Sequence, residues 1–500
     1  MELADVRCIA VLGLRRSGRP AALLARRELP GARVVALDEG APPADDTVEA
    51  LEAAGIEVLI GPAAVLPDDD TVSVLEAAGI EVLTGPAAML PDDTGLLVKS
   101  PGVPDSSAAV QDAVHRGIPL WSEVEFAGRF LPNPVVGITG TNGKTTTTEL
   151  TGAIFRDARL PVAVGGNIGH ALAAMPGEIA PDATVVAELS SFQLEHIERF
   201  RPAVAVLLNL TEDHLVRHGT YRAYVDAKLR IFENQTADDV ALLCADDDGI
   251  LEELAAGRLT GAAPRWWFSA RPGRTDGPGG EALAAGLGDD GVLWLRVHGE
   301  LRRLCRRDEL ALRGDHNLLN SLAAAAAACA AGAPMWAAAA TLRDFEGVPH
   351  RLQVGGVVKG VTYVNDSKAT NVDATLKALT AYSGGVYLIL GGYDKGAEYD
   401  ELVAGAEGRV HKVLLIGATA PKLAAAFAAR ATAVGSRATP FVTCGDLETA
   451  VKAAAAAAGS GDVVLLSPAC ASWDQYRDYE QRGEHFLRLV SELKQGAEAT

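Results

Sequence analysis

The apolar run Pro134-Val135-Val136-Gly137-Ile138-Thr139 leads straight into Gly140-Thr141-Asn142-Gly143-Lys144-Thr145, and no other stretch constrains the fold as strongly. A short strand, a glycine turn and a helix opened by Lys and Thr form one strand–turn–helix unit of a parallel sheet. The glycines let backbone N–H groups close on phosphate oxygens, and the helix N-terminus adds partial positive charge. Lys144 would reach the β- and γ-phosphates of a nucleotide, and the Thr145 hydroxyl would ligate Mg²⁺. The spacing departs from G-x-x-x-x-G-K-[ST], because Ile138 stands where the longer motif has its first glycine. The Thr-rich start of the following helix, Thr145 to Thr148, supports the same conclusion: the chain uses ATP.

Strand and helix patterns alternate throughout, which predicts an α/β protein with parallel sheets covered on both faces. At 500 residues the chain exceeds what one core usually organises. Three domains are expected: 1–121, Rossmann-like; 122–347, a P-loop ATPase-like parallel sheet; and 348–500, again Rossmann-like. The first opens with a strand over 7–12, a turn at Gly13-Leu14-Arg15-Arg16-Ser17-Gly18, a helix, and a strand ending at Asp38. That turn approaches the dinucleotide fingerprint, but Arg15 replaces the glycine that lets backbone meet a pyrophosphate. Two readings remain open: a nucleotide held differently, with Arg16 and Ser17 as donors and Asp38 at the end of the next strand, or an ordinary tight turn. Thr47–Asp70 and Thr71–Thr94 repeat one frame, T-V-x-x-L-E-A-A-G-I-E-V-L, at an offset of 24 residues. Two copies are too few for a solenoid, so a tandem duplication at the edge of the first domain is expected.

Arg271 to Gly280 reads as a surface loop, and the uncharged stretch Ser321 to Leu342 as two packed helices broken at Gly332-Ala333-Pro334. A formal charge of −20 argues against nucleic acid, which is bound by clustered Lys and Arg. The six cysteines lie far apart without a C-x-x-C pair, which suits free thiols in a reducing compartment. Acid at Glu2 and Asp5, where a signal peptide carries base, argues against secretion, and reading Ser321 to Leu342 as packed helices leaves no membrane span, so a cytoplasmic protein is expected.

Ligands of open parallel sheets sit beyond the carboxyl ends of the strands. The strand Thr184–Ala187 delivers Glu188, and the strand Ala203–Leu208 delivers Asn209 and then Thr211-Glu212-Asp213-His214. A carboxylate and an imidazole at the same edge as a phosphate loop suit Mg²⁺ around a polyphosphate. Lys228, on an amphipathic helix shortly afterwards, reads by pattern alone as a solvated lysine.

Taken together, Gly137–Thr146, Gly165-Gly166-Asn167-Ile168-Gly169, Glu188–Glu195, Asn209–His214 and Ala227–Glu233 resemble the Mur ligase family. So do Gly314-Asp315-His316-Asn317, Pro349-His350-Arg351, Asn365-Asp366-Ser367-Lys368-Ala369-Thr370-Asn371, Gly391–Lys395 and Ser467–Gly483. The N-D-S-K-A-T-N stretch points within that family to the ligase that adds D-glutamate. The resemblance implies a UDP-binding first domain, an ATPase-like central domain, a third domain that closes on the site, and an acyl-phosphate mechanism.

By the same resemblance, Thr145 and Glu188 hold one Mg²⁺, and His214 and a carbamylated Lys228 hold a second. Lys144, His214 and Lys228 are then the catalytic residues. Thr146 joins the phosphate-binding residues, and Asn317, Asn320, Arg351 and Asp366 bind the adenosine part of ATP. Arg16, Ser17, Asp38, Ser100 and Asn167 fall at the UDP-sugar, and His214, Thr370, Lys395, Ser472 and Tyr479 at the incoming glutamate. Trp473 and Tyr479 depart from the smaller or non-hydroxylated residues common in relatives, which reshapes the amino-acid pocket. The implied partners are small molecules only: UDP-N-acetylmuramoyl-L-alanine, D-glutamate and ATP. The competing readings are another amide ligase of this family, adding a diamino acid or polyglutamate, and a degenerate nucleotide-binding homologue.

Overall fold

The computed structural model describes residues 3–13, 17–38, 57–60, 90–211, 215–297, 299–312, 314–345, 347–394, 397–434 and 438–498. The chain is an α/β protein in two compact units, Met1–Phe345 and Glu346–Thr500, with two sheets in the first and one in the second.

The first sheet contains β1 (Cys8–Leu12), β2 (Arg33–Asp38), β3 (Glu57–Ile60), β4 (Leu96–Lys99) and β5 (Leu120–Ser122), in the order β3-β2-β1-β4-β5. All its pairings are parallel. Side chains alternate between the faces of a strand, and both faces here are apolar because both are covered. Cys8, Ala10, Leu12, Val35 and Leu37 pack with Ala109, Val110 and Ala113 of the helix Ala108–Arg116. Ile9, Val11, Val34, Ala36 and Val98 turn the other way, into a core that continues beneath the second sheet. β3 comes from the first copy of the repeat and forms the sheet edge; residues 71–89 of the second copy lie outside the described residues.

The second sheet has nine strands: β6 (Val135–Thr139), β7 (Val162–Gly166), β8 (Thr184–Glu188), β9 (Val204–Leu207), β10 (Val240–Cys244), β11 (Arg265–Pro272), β12 (Leu283–Leu287), β13 (Val292–Val297) and β14 (Glu300–Arg306). Its order is β14-β13-β12-β11-β10-β9-β6-β8-β7. The expected parallel arrangement holds from β7 to β12 and then gives way, because β12, β13 and β14 run antiparallel. A turn at Gly288–Gly291, closed by the Gly291 N–H on the Gly288 carbonyl, is too short for a crossover and can only reverse the chain. β11 also takes Arg271 and Pro272 out of the expected surface loop. The helices Asp315–Ala330 and Met335–Asp344 meet at the anticipated Gly332-Ala333-Pro334 break. Among the described residues no helix is long and apolar enough to cross a membrane.

The second unit carries β15 (Gln353–Val358), β16 (Val361–Asn365), β17 (Val386–Gly391), β18 (Val410–Ile416), β19 (Phe441–Gly445) and β20 (Val463–Leu466), ordered β15-β16-β20-β17-β18-β19. Only β15 and β16 are antiparallel, joined by Lys359-Gly360. Both turn residues have positive φ, 50° and 81°, as a two-residue hairpin turn needs to match strand twist. Leu388, Leu390, Val413 and Leu415 bury one face; Ile389, Leu414, Ile416 and Leu466 bury the other, with Phe486 and Val490 of the last helix.

Candidate active site

β6 lies between β8 and β9; the chain runs from β6 towards one edge, to β7, and from β9 towards the other, to β10, so a switch point with a ligand crevice opens at the carboxyl ends of β6 and β9. Gly140–Gly143 occupies the β6 end, and the helix Lys144–Asp157 begins behind it. Gly143 has φ 83°, the left-handed conformation glycine favours, and a Cβ there would lie 2.3 Å from Asn320 Oδ1. The turn therefore requires glycine for its conformation and for the space beneath it.

The segment after β9 and two helices, Tyr221–Leu229 and Lys144–Asp157, fix the loop. Asn209 accepts from the Asn142 N–H through Oδ1 (2.8 Å) and donates to the Asn142 carbonyl through Nδ2 (3.1 Å). Tyr224 donates to Thr141 Oγ1 (2.9 Å), as does the Thr211 N–H (3.0 Å). Lys144 Nζ donates to the carbonyls of Gly140 (2.9 Å) and Thr141 (2.8 Å). Thr145 and Thr146 are buried in the first turn of the helix. Asn320 is buried against that helix, accepting from Thr147 Oγ1 (3.3 Å) and donating to Asn317 Oδ1 (3.2 Å).

Lys228 corrects the solvated reading. The helix Tyr221–Leu229, capped by Thr220 accepting from the Ala223 N–H, buries Tyr224, Val225, Ala227, Lys228 and Leu229. Lys228 Nζ donates to the Gly140 carbonyl (2.8 Å), lies 3.5 Å from Thr139 Oγ1, and stands 4.7 Å over the Tyr224 ring. Amphipathic periodicity identifies the buried face but not that a phosphate loop lies against it.

Glu188 ends β8, in register with Ile138 of β6. Its Oε1 accepts from Asn167 Nδ2 (2.8 Å), while its buried Oε2 has no hydrogen-bond partner among the described residues. A buried carboxylate oxygen without a donor is costly, and a cation offsets that cost. The donor set also fits: Glu188 and the Thr145 hydroxyl offer the hard oxygens that Mg²⁺ prefers.

The first sheet has a second switch point between β1 and β4. Ser100, just beyond β4, donates to the Gly13 carbonyl (2.7 Å) and ties the two turns together. Ser17 is the N-cap of the helix Gly18–Glu28, and Asp38 ends β2. Arg16, His214 and Lys395 lie outside the described residues.

Asp366, Thr370, Ser472, Tyr479 and Arg351 belong to the second unit. Asp366 is buried and accepts from the Leu352 N–H (3.2 Å) and Ser467 Oγ (2.8 Å); burial pushes its carboxyl up to about 6. Exposed Arg351 stands between His350 and Leu352, whose φ angles of 61° and 43° mark strained backbone. Thr370 is half-buried after β16, and Ser472 is buried after β20. The Tyr479 carbonyl accepts from Ser367 Oγ (2.9 Å), while the departing Trp473 is exposed, its ring 5.7 Å from Tyr393.

Sequence reasoning passed over Arg482. It is buried, and donates to Ser367 Oγ (2.9 Å) and to the carbonyls of Ser367 (2.9 Å), Cys470 (3.1 Å) and Ala471 (3.2 Å). Burial pushes the guanidinium down to about 10. Tyr224 and Asn209 also carried no role; an arginine inside the matched Ser467–Gly483 segment and polar residues beside Lys228 and His214 were the available signals.

Comparison with known proteins agrees with this architecture. The Mur ligase middle domain matches residues 138–328, and the Mur ligase glutamate ligase domain matches residues 350–470. The chain belongs to the Mur ligase family. It is 40% identical over 490 residues to the UDP-N-acetylmuramoylalanine–D-glutamate ligase of Pelotomaculum thermopropionicum, covering 98% of each chain. It is 46% identical over 405 residues to the enzyme of the same name from Myxococcus xanthus, covering 80% of this chain and 84% of the relative. Among solved structures, UDP-N-acetylmuramate-alanine ligase MurC of Thermotoga maritima shares the fold, with a TM-score of 0.54 at 17% identity over 97% of this chain and 99% of that one.

Proposed function

We propose that the chain is an ATP-dependent amide ligase that joins D-glutamate to UDP-N-acetylmuramoyl-L-alanine, releasing ADP and phosphate, in peptidoglycan precursor synthesis. The observation that carries this is the identity with D-glutamate ligases over 490 residues, in a chain whose phosphate loop lies beside a buried carboxylate.

A carboxylate is a poor electrophile, so it must first acquire a leaving group. The alanyl carboxylate of the muramoyl substrate attacks the ATP γ-phosphate, giving an acyl phosphate and ADP. The glutamate amine then displaces phosphate and forms the amide. Bringing carboxylate and phosphate to ~4 Å costs ~4 kcal/mol at an effective dielectric of 20. Lys144 counters that repulsion, and the loop N–H groups hold the phosphates in line.

Mg²⁺, held by Thr145 and Glu188 and at a second position by His214 and carbamylated Lys228, would add positive charge at the transferred group. Asn317, Asn320, Arg351 and Asp366 are assigned to ATP, and Thr370, Lys395, Ser472 and Tyr479 to glutamate. Arg16, Ser17, Asp38, Ser100 and Asn167 are assigned to the UDP-sugar. The domains divide at 121/122 and 347/348. The working compartment is the cytoplasm, and the substrates this reading implies are small molecules.

The test is phosphate release from Mg-ATP with the muramoyl substrate, supplying D-glutamate, L-glutamate or meso-diaminopimelate in parallel. Release that depends on both the muramoyl substrate and D-glutamate supports the proposal. Turnover with another amino acid makes the chain a different ligase of the family. Silence from folded protein that binds ATP makes it a degenerate homologue.

A further inference from the structure

The two switch points of the first unit are separated by a charged cluster that neither site's assigned residues include. Lys99 ends β4 and is buried; its ammonium donates to the Val103 carbonyl (3.2 Å) and to Asp105, with Glu195 Oε2 at 3.6 Å. His196 Nε2 lies 3.1 Å from both Asp105 oxygens. The hydrogen bonds from His196 and Lys99 hold the Asp105 carboxyl well below its ordinary range. Asp105, Glu195 and His196 gather ligand atoms within 4.8 Å of one another, as a cation site would, but the Lys99 ammonium supplies the positive charge there.

Arg217 reaches the same loop from the other side. Its guanidinium donates to the carbonyls of Gly102 (3.3 Å) and Val103 (2.8 Å) and lies 4.0 Å over the Phe192 ring. The next residue, His218, is 2.9 Å from Ser191 Oγ and 3.3 Å from Glu195 Oε1, and its ring meets that of Tyr224 at 5.4 Å. Tyr224 in turn bonds Thr141 of the phosphate loop. On the far side, the 100–105 loop determines where the Gly13 turn can lie. Ser100 bonds the Gly13 carbonyl, and a Cβ on Gly13 would come within 2.7 Å of Val103 Cγ2.

We propose that Arg217 is a positioning residue for the sugar-nucleotide crevice: by gripping two carbonyls of the 100–105 loop it fixes the β1–β4 switch point relative to the segment that braces the phosphate loop. The proposal rests on the assignment of that crevice to the muramoyl nucleotide. Arg217 touches no reacting atom. It acts through the loop, so its removal changes the capture of one substrate and leaves the other's site intact.

The test is steady-state kinetics of the full-length chain with Arg217→Gln and Arg217→Lys. Glutamine removes fork and charge; lysine keeps the charge without the planar fork that serves two carbonyls and stacks on Phe192. Arg217→Gln should raise KM for the muramoyl nucleotide about tenfold, equivalent to ~1.4 kcal/mol. Arg217→Lys should recover part of the loss, and KM for ATP should stay within about twofold in both. Unchanged KM values in both variants overturn the proposal. So does a fall in kcat and melting temperature with both KM values unchanged, which describes a purely structural residue. If the unsubstituted chain does not turn over the muramoyl substrate, the functional assignment itself fails and the proposal falls with it.

Discussion

Gly143→Ala tests the phosphate loop at the position where conformation and packing coincide. At φ 83° an alanine carries a left-handed penalty of ~1–2 kcal/mol. Its Cβ would also stand 2.3 Å from Asn320 Oδ1, so Asn320 must move. Moving it sacrifices the bonds with Thr147 Oγ1 and Asn317 Oδ1, at a net ~1 kcal/mol each, and forces a strained rotamer worth ~1 kcal/mol. Because part of the strain is relieved by relaxation, about 3 kcal/mol should appear as weakened nucleotide binding, or roughly a hundredfold in Kd. Asn320→Ala alone loses those bonds and its assigned contact with ATP, which its displacement in Gly143→Ala also loses, and should cost at least about tenfold. In the double variant those bonds are lost once and the clash is gone, so its Kd should be no worse than that of Gly143→Ala. Calorimetric titration with a non-hydrolysable ATP analogue measures all four proteins. Additive effects, with the double variant about a thousandfold weaker than the unsubstituted chain, would refute the packing argument.

Lys228→Ala should abolish ligation while the protein stays folded, and acetate should restore part of the rate by replacing the missing carboxylate. Full activity without acetate rules out the metal-ligand role. Asp366 is raised from 3.8 to about 6 by burial, so the folded chain binds its proton more tightly than the unfolded chain. That stabilisation is complete below about pH 4 and is lost as pH rises through about 6, ~3 kcal/mol in all. Asp366→Asn should flatten this fall in calorimetric melts; an unchanged profile rejects the assignment. Deleting residues 47–70 should leave an active enzyme, because Glu81-Val82-Leu83 repeats Glu57-Val58-Leu59 of β3 and can rebuild the edge strand. Loss of all activity in a soluble deletion protein would sink this.

The elements legible in the sequence were those with local causes. The apolar run, two glycines and the Lys-Thr helix start are contiguous, and they fold as the strand, turn and helix expected. Glu188 was legible because a strand's end is readable from its apolar run. The antiparallel β12–β14 extension was not, since β-patterned runs do not state the direction in which they pair. Lys228, Tyr224 and Asn320 serve the loop through contacts across the sequence, and Arg482 binds carbonyls from two distant turns. No period or motif encodes such partners.

The shared core beneath the first two sheets has a mechanical consequence. Ile9, Val11 and Val98 of the first sheet belong to the same packed cluster as Val136, Ile138 and Val206 of the second. Close-packed interiors resist shear and compression. The two crevices they support are therefore set at a fixed gap, and a molecule that must occupy both is measured by its reach. On the proposed assignment the fold would act as a ruler as well as a chemical filter, and an acceptor with the right end groups and the wrong length should be rejected.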